Sequence, residues 1–186
     1  MDLADYSGQF DPEFGYDKLS KETLLKLFKV YAKFVQRLDG FWYVSVMNKC
    51  GNDVAFECDV NAWRGAQPFE TEAVSKLLNI TGHDVATVVK FLQAQMLTMV
   101  FACTIDLKNS NHAVLTYRNC PTLRALEKEG TGREKMICQD WEPEYLGIIA
   151  HYFNPNIKVT PVKVPPRTDL TTDISCIWEM KLDPTA

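Results

Sequence analysis

The sequence predicts an α+β domain in which N-terminal helices are followed by a four-stranded antiparallel sheet. Two helices are inserted between its hairpins, helices cover one face, and a pocket lies between the layers. Three observations carry this. Apolar residues recur every 3.6 positions through the first half, the period changes to two after Phe101, and helical signals return before two last strands.

Residues 1–18 mix Asp2, Asp5, Asp11, Asp17, Gly8, Gly15 and Pro12 with Tyr6, Phe10, Phe14 and Tyr16 and show neither period, so an irregular arm is expected ahead of one domain over 19–186. Its aromatics suggest docking on the domain or on a partner. Ser20 is suited to cap a long amphipathic helix built on Leu24, Leu27, Phe28, Tyr31, Phe34, Val35, Leu38, Phe41 and Trp42. Gly40 is a candidate kink and Gly51 a stop. Asn52 is expected to cap a short helix ending at Gly65, with a third over Phe69–Ile80. Asp84 is expected to cap a fourth whose stripe runs from Val85 through Met96 to Val100.

Strands Cys103–Leu107 and His112–Tyr117 flank the polar turn Lys108–Asn111, which makes a hairpin. Pro121 suits the first position of a helix, so Cys120 falls on its N-cap and Gly130 on its end. Asp140 is expected to cap a helix over Trp141–Tyr152. Strands Lys158–Val164 and Asp173–Leu182 complete the sheet. Pro161 confines its strand to an edge or a bulge, and Ile174, Cys176, Trp178, Met180 and Leu182 share the buried face of the last.

Composition limits the function classes. With 46% hydrophobic and 24% charged residues the 186-residue chain is an ordinary globular one, and a net charge of -4 offers no basic field for nucleic acid. No run approaches the roughly 18 apolar residues of a membrane helix and no leader-like start is present, so a cytoplasmic protein without a membrane partner is expected. Six cysteines in such a chain are read as reduced.

Cys120 carries the most specific signal, because a thiol at a helix N-terminus sits among unpaired N–H groups and is expected to be acidified. It reads either as a nucleophile or metal-binding thiolate, or as a small buried cap. Cys138-Gln139-Asp140 reads as a second thiol and a carboxylate at a helix start, or as an Asp cap beside a packed cysteine. Were Cys120, Cys138 and Cys176 to meet at one sheet edge, they would form a three-thiol site for zinc or iron, with Asp140 or His151 as fourth ligand; without convergence there is no metal. His83 and His112 read as surface residues. Phe41, Trp42, Trp63, Tyr117, Trp141 and Trp178 are candidates to line an apolar ligand pocket, or to fill the core. No phosphate loop, nucleophile elbow or H-E-x-x-H is present.

The stretches Leu19–Glu22, Asp39–Trp42 and Asp59–Arg64 resemble a bacterial and archaeal cytosolic family of unknown function. Arg118–Pro121, Cys138–Asp140, Phe153–Pro155 and Cys176–Trp178 resemble L-2-amino-thiazoline-4-carboxylate hydrolase-like proteins, which are similar in turn to vinyl-reductase-type domains. The resemblance implies an α+β fold with a pocket between helices and sheet. The cysteines that often precede the Pro-Pro pair in that pattern are absent here, where Pro161–Val164 stands before Pro165-Pro166.

Three functions follow. The first is binding of a small molecule, apolar or tetrapyrrole-like, or of a metal at the cysteines. The second is hydrolysis of a C–N bond in a small cyclic amidine, with Cys120 as nucleophile and Asp140 moving the proton. The third is a subunit of a complex. A homodimer is compatible with each.

Overall fold

The structure, a computed structural model, describes residues 3–183; Asp2 of the arm lies outside them. It is α+β, with helices α1 (Lys21–Cys50), α2 (Asn52–Leu78), α3 (Val85–Ala94), α4 (Pro121–Glu129), α5 (Arg133–Lys135) and α6 (Glu142–Phe153), and strands β1 (Ala102–Asn109), β2 (His112–Arg118), β3 (Ile157–Lys163) and β4 (Ile174–Leu182). The strands form one antiparallel sheet in the order β1-β2-β4-β3. β3 is thus an edge strand, where the missing N–H of Pro161 is tolerated, and its register shifts between Pro161 and Lys163.

Register sorts the sheet into two faces. Cys103, Tyr117 and Cys176 lie opposite one another across β1, β2 and β4, followed by the row Ile105, Leu115 and Trp178. Leu115, Trp178 and Met180 are fully buried under α3 and α6, which supply Val85, Val88, Phe91, Leu146 and Ile149 to the same core. Truncating a ring as enclosed as Phe91 costs about 3–5 kcal/mol. On the opposite face His112 pairs with Glu179 at 2.9 Å.

α2 packs on α6 and α3, and α1 packs on α2 as the outermost layer. Ser20 caps α1 as expected, its Oγ accepting from the Thr23 N–H at 3.2 Å. α1 runs unbroken through Gly40, yet buries only Ala32 and Tyr43 among its 30 residues. The arm is tied to the start of α1 by the Leu3–Leu19 bridge, and Tyr6 stacks on Phe14 at 4.5 Å.

Four expected boundaries are corrected. The helices expected to either side of Gly65 are one, α2, which passes through both Gly65 and Pro68. A glycine costs a helix about 1 kcal/mol, and the burial of Val60, Gln67, Thr71 and Ser75 along α2 offsets that locally. Asn52 is not its side-chain cap: Gly51 occupies that position, and the Asn52 Oδ1 accepts from the Tyr43 hydroxyl at 2.9 Å.

The helix capped by Asp84 stops at Ala94 rather than continuing to Val100. The carboxylate of Glu70 on α2 accepts the Met96 N–H at 3.0 Å, and residues 96–99 tighten into a 3₁₀ turn.

Asp140, finally, caps nothing. Residues Met136–Trp141 form a π-helical segment that leads directly into α6. Pro143 has no N–H for the Gln139 carbonyl, and its ring crowds that oxygen, which favours the wider turn.

Candidate functional site

Between α1, α2, the 3₁₀ turn, α4, the π segment and the upper end of the sheet lies a cavity of about 440 Å³. That is within the usual range of small-molecule sites, about 300–1,000 Å³. A second hollow, about 540 Å³, opens beside β3, and its one histidine, His151, is bonded to the Ile157 carbonyl at 3.1 Å.

Four of the six expected pocket aromatics line the cavity: Phe41, Trp63, Tyr117 and Trp141. Trp42 does not; it points outward and is 42% exposed. Trp178 does not either, being fully buried in the core with its Nε1–H directed at Cys176 Sγ, 3.3 Å away. Their neighbours explain the difference. Phe41 lies on the cavity side of α1, whereas the register of β4 carries Trp178 one row below Cys176, under α3 and α6.

Cys120, Cys138 and Cys176 all open on this cavity. Cys120 caps α4 as expected: its Sγ accepts from the Leu123 N–H at 3.4 Å, and its own N–H donates to Ser175 Oγ at 2.9 Å. The thiol is nevertheless not acidified. Burial pushes it above the ordinary cysteine value, outweighing the helix N–H groups, and the charge of Glu142 acts in the same direction. Burial likewise raises Cys138 and Cys176, and lifts Cys103 to about 11.

The three cavity thiols are therefore held neutral. Among the described residues no three His, Cys, Asp or Glu side chains are grouped so as to hold a metal ion. Cys120, Cys138 and Cys176, from a helix cap, a π turn and a strand, share one wall of the cavity but do not make up the candidate three-thiol zinc or iron site among the described residues. His83 and His112 are engaged elsewhere, with the Phe153 carbonyl and with Glu179.

Asp140, the expected proton carrier, is exposed and does not line the cavity. Two residues on, the π segment turns Glu142 inward. Its carboxyl reaches the cavity yet is surrounded by protein, and burial raises it to about 7. Glu142 is thus the group that can exchange a proton beside Cys120, Cys138 and Cys176. The signal that could have found it is Pro143, which marks the distortion of the turn before it.

A second acidic feature comes from the helical hairpin. Asp39 of α1 and Asp59 of α2 both line the cavity and face each other closely enough to share a proton. Burial raises both, and the Asp39 charge helps lift Asp59 to about 7. The Trp63 indole donates to Asp39 Oδ1 at 3.0 Å. Asp39 lies four residues before Tyr43, and Asp59 four before Trp63, so each carboxyl sits one turn from a ring of the same wall.

Three enclosed polar atoms of the lining have no partner: Asp59 Oδ1, Gln95 Oε1 and the Tyr145 hydroxyl. Gln95 and Tyr145 are only 4% and 7% exposed. Arg133, also in the lining, lies over the Tyr43 ring at 4.9 Å and is paired with Glu129. The arrangement is an aromatic chamber with neutral thiols, carboxyls poised near neutrality and unused hydrogen-bonding capacity.

A family of unknown function (DUF6125) matches the chain over residues 17–182. No curated protein and no solved structure matches it.

Proposed function

We propose, for a chain that belongs to a family of unknown function (DUF6125), that it is a small-molecule-binding domain whose ligand occupies the aromatic cavity. The observation that carries this reading is the lining itself, in which Phe41, Trp63, Tyr117 and Trp141 surround a few enclosed polar groups. Apolar walls supply affinity and a small number of placed polar atoms supply orientation. Neutral thiols suit such a wall, since an un-ionised cysteine behaves as a small hydrophobe.

The test is titration of the purified protein with candidate ligands, read by Trp63 and Trp141 fluorescence, together with native mass spectrometry of the protein as isolated. A retained organic molecule or a saturable one-site change is expected. Cys138→Trp, which fills the chamber, should abolish binding with the fold intact. Absence of any retained molecule and of any saturable change would overturn the reading.

The enclosed Glu142 favours a second reading, hydrolysis of a C–N bond in a small cyclic amidine. The Cys120 proton would pass to the Glu142 carboxylate as sulfur bonds the amidine carbon. Glu142 would return that proton to the departing nitrogen, and water would release the product from sulfur. In this role Glu142 replaces Asp140. Ammonia release from 2-amino-thiazoline-4-carboxylate, lost in both Cys120→Ala and Glu142→Gln, is the expected outcome; no release by the unaltered protein would exclude that substrate.

A further inference from the structure

We propose that the cavity selects ligands bearing a protonated amine on an apolar body, and that the Asp39–Asp59 pair receives the ammonium. This rests on the binding reading above and names the class of ligand.

The argument is one of unmet hydrogen bonds. Trp63 satisfies Asp39 Oδ1, but the buried Asp59 Oδ1 and Gln95 Oε1 are acceptors without a donor. The Tyr145 hydroxyl, without a partner as well, can accept too. A buried polar atom left unpaired costs about 1–3 kcal/mol, so a group that brings several donors is preferred here over one that brings none. An ammonium brings three donors and a positive charge, matching a carboxyl pair that holds one negative charge between two acids. The Trp63 ring, in the same lining and one turn from Asp59, adds an aromatic wall that attracts a cation, while the Tyr43 ring is already covered by Arg133. A carboxylate or phosphate head would meet Asp39, Asp59 and Glu142; of the two arginines in the lining, Arg133 is already paired with Glu129 and Arg37 is an exposed residue of α1.

The experiment compares three probes on the full chain at pH 6: phenethylammonium, its neutral counterpart 2-phenylethanol, and phenylacetate. Phenethylammonium should bind at least about tenfold tighter than 2-phenylethanol, the difference one charge-assisted hydrogen bond supplies. Asp59→Asn should bring phenethylammonium down to the level of 2-phenylethanol; Asp39→Asn serves the same purpose should the first variant fold poorly. Equal binding of amine and alcohol, or tighter binding of phenylacetate, would overturn the head-group assignment and leave the cavity reading standing. If none of the three binds and nothing is retained on isolation, the cavity reading itself falls.

Discussion

Trp63 on α2 donates its indole N–H to the Asp39 carboxyl on α1 at 3.0 Å, which ties these two long helices together at the cavity wall. Burial raises Asp39, and this donor, together with Asp59, opposes that effect. Trp63→Phe keeps most of the apolar surface and removes the donor. Chemical denaturation should show a loss of about 1–3 kcal/mol, the cost of an unsatisfied buried acceptor. An unchanged midpoint would mean the bond contributes nothing net.

Glu142 sets a pH dependence whose sign follows from the direction of its shift. Its carboxyl titrates near 7 in the folded chain, against an ordinary value of 4.5. Between these limits the folded state binds the extra proton, so this group's stabilisation is present at acid pH and is lost as pH rises toward and through 7. Asp59, also raised to about 7, acts in the same direction. The melting temperature should therefore fall between pH 5 and pH 8. Glu142→Gln should flatten that slope by about 2 kcal/mol over the interval, and a slope identical to the parent's would contradict the enclosed position of Glu142.

Cysteine reactivity separates wall thiols from surface thiols. Cys50 and Cys58 are exposed, while burial raises Cys120, Cys138 and Cys176. Alkylation followed residue by residue at pH 7 should modify Cys50 and Cys58 first, with the three cavity thiols slow until the fold opens. Rapid modification of Cys120 near neutrality would restore the acidified thiolate expected from its cap position.

Arg167 clamps the loop before β4 to α4. Its guanidinium donates to both oxygens of Glu127, at 2.7 and 2.6 Å, and to the Thr172 carbonyl at 2.9 Å, with the Arg167 side chain only 9% exposed. Arg167→Ala strands a partly buried carboxylate and should cost about 3 kcal/mol. Arg167→Lys should recover only part of it, because an ammonium cannot reproduce the paired geometry. Equal stability of the lysine variant would show that charge alone suffices.

Much of this arrangement was legible from local signals. Cys120 caps α4 because Pro121 and Gly130 bracket a helix of nine residues, all within reach of sequence. The alternation in β4 placed Cys176 on the inner face, and Pro161 placed β3 at an edge. The same rules erred where a distant partner intervened. Glu70 ended α3 early by taking the Met96 N–H, and the π turn replaced Asp140 with Glu142 at the wall.

By itself, then, the sequence determined the succession of helices and strands, the inner face of β4, the cap at Cys120 and most of the cavity's rings. These depend on periodicity and on contacts within a turn or two of chain. Only the tertiary structure decided that the capping thiol is neutral, that Asp39 and Asp59, twenty residues apart, meet across two antiparallel helices, and that Trp178 belongs to the core. Desolvation and cross-element pairing are set by whatever packs against a residue, and that neighbour is nowhere near it in the chain.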